Sequence, residues 1–364
     1  MNSLKKIVTI LGARPQFVKA AVLSRIISEM NQIQEVIVHT GQHFDTNMSA
    51  VFFNEMQIPT PKYNLAIHGL THGAMTGQML EKIEAILIDE KPDAVVVYGD
   101  TNSTLAGALA AKKRDIKVIH IEAGLRSFNM KMPEEVNRIL TDRISALLSC
   151  PTDTALQNLS NEGFDHLPIK IEQHGDIMKD AVAFYSEKSS EKSNIIQDLD
   201  LQKDAFILTT IHRQENTDDA SKMKEIFDAL ELIHQTKQVV LPLHPRTKKM
   251  LAKFNINTKI TLIDPVGYFD MLELLKNCAM VVTDSGGLQK EAFFCNKNCI
   301  IVREETEWLE LVAHNFAKIV GTDKDKLVAA FHYFLTANMD FNINLFGENV
   351  GEKIHDSICN LIQD

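Results

Sequence analysis

Short β-branched runs alternate with amphipathic stretches along almost the whole chain, and this alternation restricts it to parallel α/β architecture. In the first half the pattern predicts strands at Lys6–Leu11, Glu35–His39, Ala94–Tyr98, Val118–Ile121 and Leu147–Cys150. Helices are expected between them near Ala20–Met30, Gly77–Asp89, Thr104–Lys113, Glu134–Ser145 and Asp153–Glu162. The rhythm lapses from Ser186 to Asp204, a polar stretch that reads as a linker or surface segment. It resumes with strands at Phe206–Ile211, Val239–Leu243, Ile260–Ile263, Met280–Thr283, Cys299–Val302 and Lys318–Val320. Helices are expected there at Ala220–His234, Met271–Asn277 and Leu288–Phe294. With 364 residues the chain has room for two domains of ordinary size. The expectation is two doubly wound, Rossmann-like α/β domains facing a cleft, 1–180 and 181–345. A C-terminal helix in 346–364 is expected to pack back on the first.

Ligands of such sheets bind beyond the carboxyl ends of the strands. Seven polar motifs fall there. Gly12-Ala13-Arg14-Pro15, Thr40-Gly41-Gln42-His43, Gly99-Asp100-Thr101 and Glu122-Ala123-Gly124-Leu125-Arg126 follow strands of the first half. His212-Arg213, His244-Pro245-Arg246 and Asp284-Ser285-Gly286-Gly287 follow strands of the second. Seven such loops, rich in Arg, His and carboxylates, point to an enzyme with its chemistry in a cleft.

Composition removes other classes. Asp plus Glu number 48 against 38 Lys plus Arg, a formal charge of -10, and no basic run is present. A nucleic-acid binder would carry a basic footprint, so an anionic ligand here must be held by local groups. The apolar run Ile7–Leu11 is too short for a signal peptide, and no window approaches the ~20 apolar residues of a membrane span. The five cysteines are odd in number and lack CxxC spacing, so structural thiols are expected, with no metal site and no disulfides. Together these predict a cytoplasmic protein with no membrane or nucleic-acid partner.

The motifs also have individual chemistry. Thr283 to Leu288 reads as a strand end, a Gly pair and a helix start, where free N–H groups suit a phosphate. It matches neither GxGxxG nor GxxxxGK[ST], which disfavours nicotinamide and P-loop readings. Glu291, on the same helix, could accept from ribose hydroxyls or simply complement the helix dipole. Arg14 and Lys19 flank the first βα turn, where a guanidinium fork suits phosphate oxygens; Lys19 reads equally as a solvated helix residue. Asp100, Glu122 and Glu134 come from separate connections, and their convergence would supply proton donors and acceptors. Pro133-Glu134-Glu135 also suits a plain helix start.

The ordered set of motifs resembles, over essentially the full length, the non-hydrolysing UDP-N-acetylglucosamine 2-epimerases. The fragments are GARPQFVKAA (12–21), HTGQHFD (39–45), VYGDTNSTLAGALAA (97–111), HIEAGLRS (120–127) and PEEVNR (133–138). HRQEN (212–216), LPLHPRT (241–247), TDSGGLQKEA (283–292) and an RxxTE at Arg303–Glu307 complete the set. The resemblance implies the two-domain GT-B fold, a homodimer, a UDP-sugar substrate and inversion at carbon 2 without an added cofactor. It implies elimination of UDP to an enclosed 2-acetamidoglucal, followed by re-addition, for surface polysaccharide synthesis. By motif match Asp100, Glu122, Glu134 and His212 are the catalytic candidates. Arg14, Lys19, Ser285, Gly286, Gly287 and Glu291 are candidates for holding UDP, and Gln42, His43 and His244 for a second, activating nucleotide-sugar site.

Two departures bear on the sugar. Thr306-Glu307-Trp308-Leu309-Glu310 stands where the family commonly has TERPE, and Met271 stands where an aromatic could stack on uracil. With the context SFNMKMPEEVNR, these features resemble the branch acting on UDP-2,3-diacetamido-glucuronate. The rival readings are a GT-B glycosyltransferase, which fold alone cannot separate from an epimerase, a catalytically silent nucleotide-sugar sensor, and a hydrolysing epimerase that releases UDP.

Overall fold

The computed structural model describes residues 4–42 and 58–363, and the chain divides into two compact units, Met1–Ala181 with Asn344–Asp364 and Val182–Ile343. The first is built on strands β1 (Lys5–Leu11), β2 (Ile33–His39), β3 (Tyr63–Asn64), β4 (Ala94–Tyr98), β5 (Lys117–Ile121), β6 (Leu147–Cys150) and β7 (Lys170–Gln173). They form one parallel sheet in the order β3-β2-β1-β4-β5-β6-β7. Every residue of β4, Ala-Val-Val-Val-Tyr, is buried, as expected of a central strand covered by helices on both faces. Each fully buried valine contributes about 1.5–3 kcal/mol of hydrophobic free energy relative to exposure.

The helix Asn102–Lys113 lies close on this sheet because its inner face is small. A Cβ at Gly107 would come within 3.0 Å of Ile10 Cγ1 and 3.2 Å of Val97 Cγ1. Thr101 caps the helix, its side chain accepting from Thr104 N–H. Beside it on the same face, Met79, Ile83 and Leu87 of the helix His72–Glu90 pack over Val8, Val36, Val95 and Val97.

The second unit repeats the plan with β8 (Phe206–Thr210), β9 (Gln238–Pro242), β10 (Thr261–Ile263), β11 (Met280–Thr283), β12 (Asn298–Ile301) and β13 (Ala317–Ile319). Their parallel order is β10-β9-β8-β11-β12-β13. Ile226, Phe227 and Leu230 of the helix Ala220–His234 and Phe331 of the helix Lys324–Thr336 close a core over Ile207, Val239 and Val282. Two doubly wound α/β units are therefore present, and among the described residues no helix is long and apolar enough to cross a membrane.

The polar stretch Ser186 to Asp204, read as a linker or surface segment, is mostly exposed, but it is helical: the helix Ile177–Lys192 runs into it and a short helix, Ile195–Asp198, follows. Ser189 is fully buried and donates to Glu273 Oε1 at 2.6 Å, while Lys276 Nζ donates to the Ser186 carbonyl at 2.7 Å and to Ser190 Oγ at 2.6 Å. The packing partner is itself a Glu–Lys pair, Glu273 with Lys276 at 2.6 Å.

The chain re-enters the first unit at Asn344, and the helix Val350–Gln363 packs on the helix Arg14–Met30. Asp180 accepts from Gly351 N–H at 2.8 Å, and Lys117 Nζ donates to the Leu361 carbonyl at 2.7 Å. Just before that helix two glycine backbones touch. Gly175 has φ +105°, and a Cβ there would overlap the Phe346 carbonyl oxygen and lie 2.9 Å from Gly347 Cα. Gly175→Ala should therefore cost about 1–3 kcal/mol, read as a lower urea midpoint at unchanged slope. Gly69→Ala, also at positive φ (+69°) but with nothing within 4 Å, should cost less.

Candidate active site

In each sheet the strand order reverses direction about one pair, β1/β4 and β8/β11, and the loops after those strands meet there. In the first unit Gln16 stitches them. Its buried Oε1 accepts from Gly12 N–H (2.8 Å) and Ala13 N–H (3.0 Å), and its Nε2 reaches the Tyr98 carbonyl (2.8 Å), Thr101 Oγ1 (3.0 Å) and Thr104 Oγ1 (3.0 Å). Gly12 is required beside it, since a Cβ would overlap Ser103 Oγ and Thr40 Oγ1. No sequence argument singled out Gln16; the signal available was its place three residues after the N-cap of the first helix.

The candidate carboxylates sit on the loops after β4 and β5 and on the helix that follows β5. Asp100 follows β4, and its side chain is 30% exposed. Arg138 Nη2 donates to its Oδ2 at 2.5 Å, and Asn137 Nδ2 donates to its backbone carbonyl at 2.8 Å. Glu122 follows β5 in the left-handed region (φ +70°), a strained backbone of the kind that concentrates at functional sites. Its Oε2 lies 3.1 Å from where a Gly99 Cβ would stand, so the glycine before Asp100 makes room for it. The buried Lys19 pairs with Glu122, so it is not a solvated helix residue. Glu134 is half-buried in the first turn of the helix Pro133–Ile144 and has no hydrogen-bond or ion-pair partner among the described residues.

Beneath these loops lies a buried polar chain. Asp142, with no exposure, takes His120 Nδ1 at 2.7 Å, Arg126 Nη1 at 2.7 Å and Gly124 N–H at 3.2 Å. His120 Nε2 donates to the Gly99 carbonyl at 2.7 Å, and Arg126 also grips Glu162 through two bonds of 2.7 and 2.9 Å. Burial raises the Asp142 pKa, but the His120 and Arg126 contacts outweigh it and hold the carboxyl below its ordinary value.

In the second unit a second buried aspartate does the gathering. Asp284, at the end of β11, accepts from His212 N–H (2.9 Å), Arg213 N–H (2.9 Å) and Asn216 Nδ2 (3.2 Å), joining the loop after β8 to the loop after β11. The His212 ring remains partly open to solvent, with Nδ1 3.5 Å from Asp284 Oδ1 and its centroid 5.7 Å from that of His244. Burial, and then the His212 and Arg246 charges, lower the His244 pKa. His244 itself caps the helix Pro245–Lys253, accepting from Arg246 N–H at 3.2 Å.

Ser285 caps the helix Gly286–Phe294, with Gly286 and Gly287 as its first two residues. A Cβ at Gly286 would stand 3.8 Å from Arg303 Nη1 and 3.9 Å from Arg213 Nη2, whereas Gly287 is open. The nearest group to the Gly286 Cβ position is Glu307 Oε2 at 3.6 Å, so two guanidinium groups and a carboxylate face the helix start. Glu307 grips Arg303 at 3.0 and 3.1 Å, and the buried Arg303 Nε and Gln289 Nε2 have no hydrogen-bond partner among the described residues. Arg213 and Arg303 were not singled out as ligand contacts from sequence, although both sit in the quoted motifs. Glu291 lies half-buried on the second turn of the same helix. Gln42 is occupied, its Oε1 accepting from Ser103 N–H (3.0 Å) and Oγ (2.8 Å). His43 and the Arg14 side chain lie outside the described residues.

The profile of the UDP-N-acetylglucosamine 2-epimerase family matches residues 25–359. The chain belongs to this family. It is 50% identical over 343 residues to the UDP-2,3-diacetamido-2,3-dideoxy-D-glucuronate 2-epimerase of Pseudomonas aeruginosa, covering 94% of this chain and 96% of that one. A UDP-N-acetylglucosamine 2-epimerase homolog of Methanococcus maripaludis is 47% identical, with 98% and 100% covered. The crystal structure of the Methanocaldococcus jannaschii UDP-GlcNAc 2-epimerase in complex with UDP-GlcNAc and UDP matches with a TM-score of 0.89 at 42% identity, covering 98% and 99%. The Neisseria meningitidis enzyme bound to UDP-GlcNAc matches at 0.87 and 29% identity, covering 98% and 100%. These epimerase structures carry the GT-B type of fold, and membership makes the chain an isomerase by family.

Asp142 has a depressed pKa, so its contribution to stability is present above the unfolded value near ~3.9 and is lost as pH falls through the lower folded value. Asp142→Asn should lower stability at neutral pH by about 3–5 kcal/mol, because it removes the fully buried carboxylate facing His120 and Arg126 and leaves Arg126 only Glu162. It should also flatten the fall in stability below about pH 4. Urea midpoints from pH 7 to 3 (roughly spanning the unfolded carboxylate pKa) test both arms.

Proposed function

We propose that this protein inverts carbon 2 of a UDP-linked 2-acetamido sugar by eliminating UDP and adding it back. The observation that carries the reading is the gathering of Asp100, Glu122 and the Glu134 helix at one sheet edge, in a chain half identical to a UDP-sugar 2-epimerase. In the first step a carboxylate takes the carbon-2 proton while the carbon 1–oxygen bond breaks toward UDP, leaving a carbon 1–carbon 2 double bond. In the second, a proton reaches carbon 2 from the other face and the UDP oxygen re-forms its bond to carbon 1. Nothing is gained or lost, so no redox cofactor is required.

Asp100, Glu122 and Glu134 are the proton-transfer groups of this reading, with His212 assisting at the sugar or phosphate. The helix start at Ser285, Gly286 and Gly287, with Arg213 and Arg303, is the seat for the diphosphate, Glu291 is the ribose contact, and Arg14 is a diphosphate contact by motif match alone. Lys19 serves through its pairing with Glu122 rather than by reaching phosphate. Gln42, His43 and His244 are the candidates, by motif match alone, for a second nucleotide-sugar site. The working form is a homodimer inside the cell. The sugar placed first is the 2,3-diacetamido-glucuronate, because the 50%-identical relative carries that name and Trp308-Leu309 replaces the usual Arg-Pro.

Proton NMR in deuterated buffer, with UDP-N-acetylglucosamine and its 2,3-diacetamido-uronate relative, should show inversion with deuterium entering at carbon 2. Accumulating free UDP, or transfer only to an added acceptor, would instead favour the hydrolysing epimerase or the glycosyltransferase. Asp100→Asn, Glu122→Gln and Glu134→Gln should each lose about 10²–10⁴-fold in turnover while still binding UDP. Folded variants that exchange and invert at the wild-type rate would remove these carboxylates from the chemistry. Gly286→Leu should weaken UDP binding, since its side chain would fill the space between Arg213 and Arg303.

A further inference from the structure

The Asp100 carboxylate is held from behind. Arg138 reaches it with Nη2 at 2.5 Å and, with Nη1, reaches Glu135 Oε2 at 2.8 Å. Glu135 has no exposure, and its other contacts are the N–H of Ser127 (2.9 Å), the hydroxyl of Ser127 (3.0 Å) and the N–H of Phe128 (2.9 Å). One guanidinium–carboxylate pair thus spans from the loop after β5 to the loop after β4. Burial raises the Glu135 pKa, yet the Ser127 N–H, Arg138 and the Phe128 N–H together hold it below its ordinary value.

The geometry is built rather than incidental. Phe128 sits at φ +57° with its side chain 72% exposed. Left-handed backbone costs a bulky residue about 1–2 kcal/mol, and the Glu135 carboxylate is what the strained N–H donates to. Asn137, one residue before Arg138, fixes the Asp100 backbone at 2.8 Å, so consecutive residues of one helix hold that aspartate by main chain and by side chain. A planar guanidinium with two of its nitrogens occupied leaves the Asp100 carboxylate little freedom to rotate.

We propose that Arg138, anchored by Glu135, is a positioning residue for the carbon-2 chemistry, setting where the Asp100 carboxylate meets the sugar. The inference rests on the epimerase reading above. Misplacing a reacting group by an ångström typically costs about 10²-fold in rate, so Arg138→Met should lower kcat by about that factor with UDP affinity unchanged. Arg138→Lys should recover part of the loss, since an ammonium keeps the charge but not the fork.

The full-length protein, Arg138→Met, Arg138→Lys, Asp100→Asn and both double variants are compared by kcat, KM and calorimetric titration with UDP. If Arg138 acts through Asp100, adding either Arg138 change to Asp100→Asn costs nothing further. Losses that multiply, or a folded Arg138→Met with wild-type kcat, would overturn the proposal. If Arg138→Met does not fold by circular dichroism, the Arg138→Lys cycle gives the same decision. A wild-type protein that inverts neither UDP-sugar refutes the parent reading and this inference with it. Wild-type turnover with multiplying losses refutes this inference alone.

Discussion

An aspartate sealed from water, Asp142, is the constraint on which the first unit depends. Its oxygens collect an imidazole, a guanidinium and a backbone N–H, and through His120 its influence reaches the Gly99 carbonyl. A buried carboxylate survives only when such partners replace the water it has lost, and breaking the set leaves an uncompensated charge. The arrangement therefore pins the ends of β4 and β5 and the helix Pro133–Ile144 to one another. Those are the elements that carry Asp100, Glu122 and Glu134.

Asp284 plays the corresponding part in the second unit, where it holds the turn of His212 and Arg213 against the start of the Ser285 helix. Both aspartates are buried, Asp142 within the helix Pro133–Ile144 and Asp284 directly after β11, beside the β8/β11 pair where the sheet order reverses. Polar scaffolding of this kind keeps mobile loops at a fixed place on a rigid sheet. It also explains why backbone strain is tolerated at Glu122 and Phe128, since each is held by bonds its neighbours impose.

Much of the fold was legible because the hydrophobic period changes along the chain. Ala94–Tyr98 and Met280–Thr283 were read to the residue, for they are unbroken apolar runs flanked by Gly or Asp. Short edge strands such as Tyr63–Asn64 carry no such pattern and were missed. The segment Ser186 to Asp204 lies at the surface as read, but its polar composition hid the helix in it and the one buried serine, Ser189, that meets a Glu–Lys pair. Of the candidate site, motifs pointed to Asp100, Glu122 and the Ser285 turn at strand ends, which is where the structure places them. Gln16, Asp142 and Arg138 were invisible as site builders, because the partners that tie them across the sheet, Thr104, His120 and Asp100, lie 88, 22 and 38 positions away.

The sequence by itself determined the two parallel α/β units, the membership of the family and the loops that carry the polar residues. These follow from local periodicity and from ordered motifs that short-range sequence preserves. Only the tertiary structure decided that Lys19 pairs with Glu122, that Glu135 rather than Glu134 is the buried member of its pair, and that Arg138 bridges to Asp100. Adjacent glutamates on a helix point about 100° apart, and which one turns inward depends on the loop packed against it. A buried charge is specified by the partners that surround it, and those partners are assembled only when distant strands come side by side.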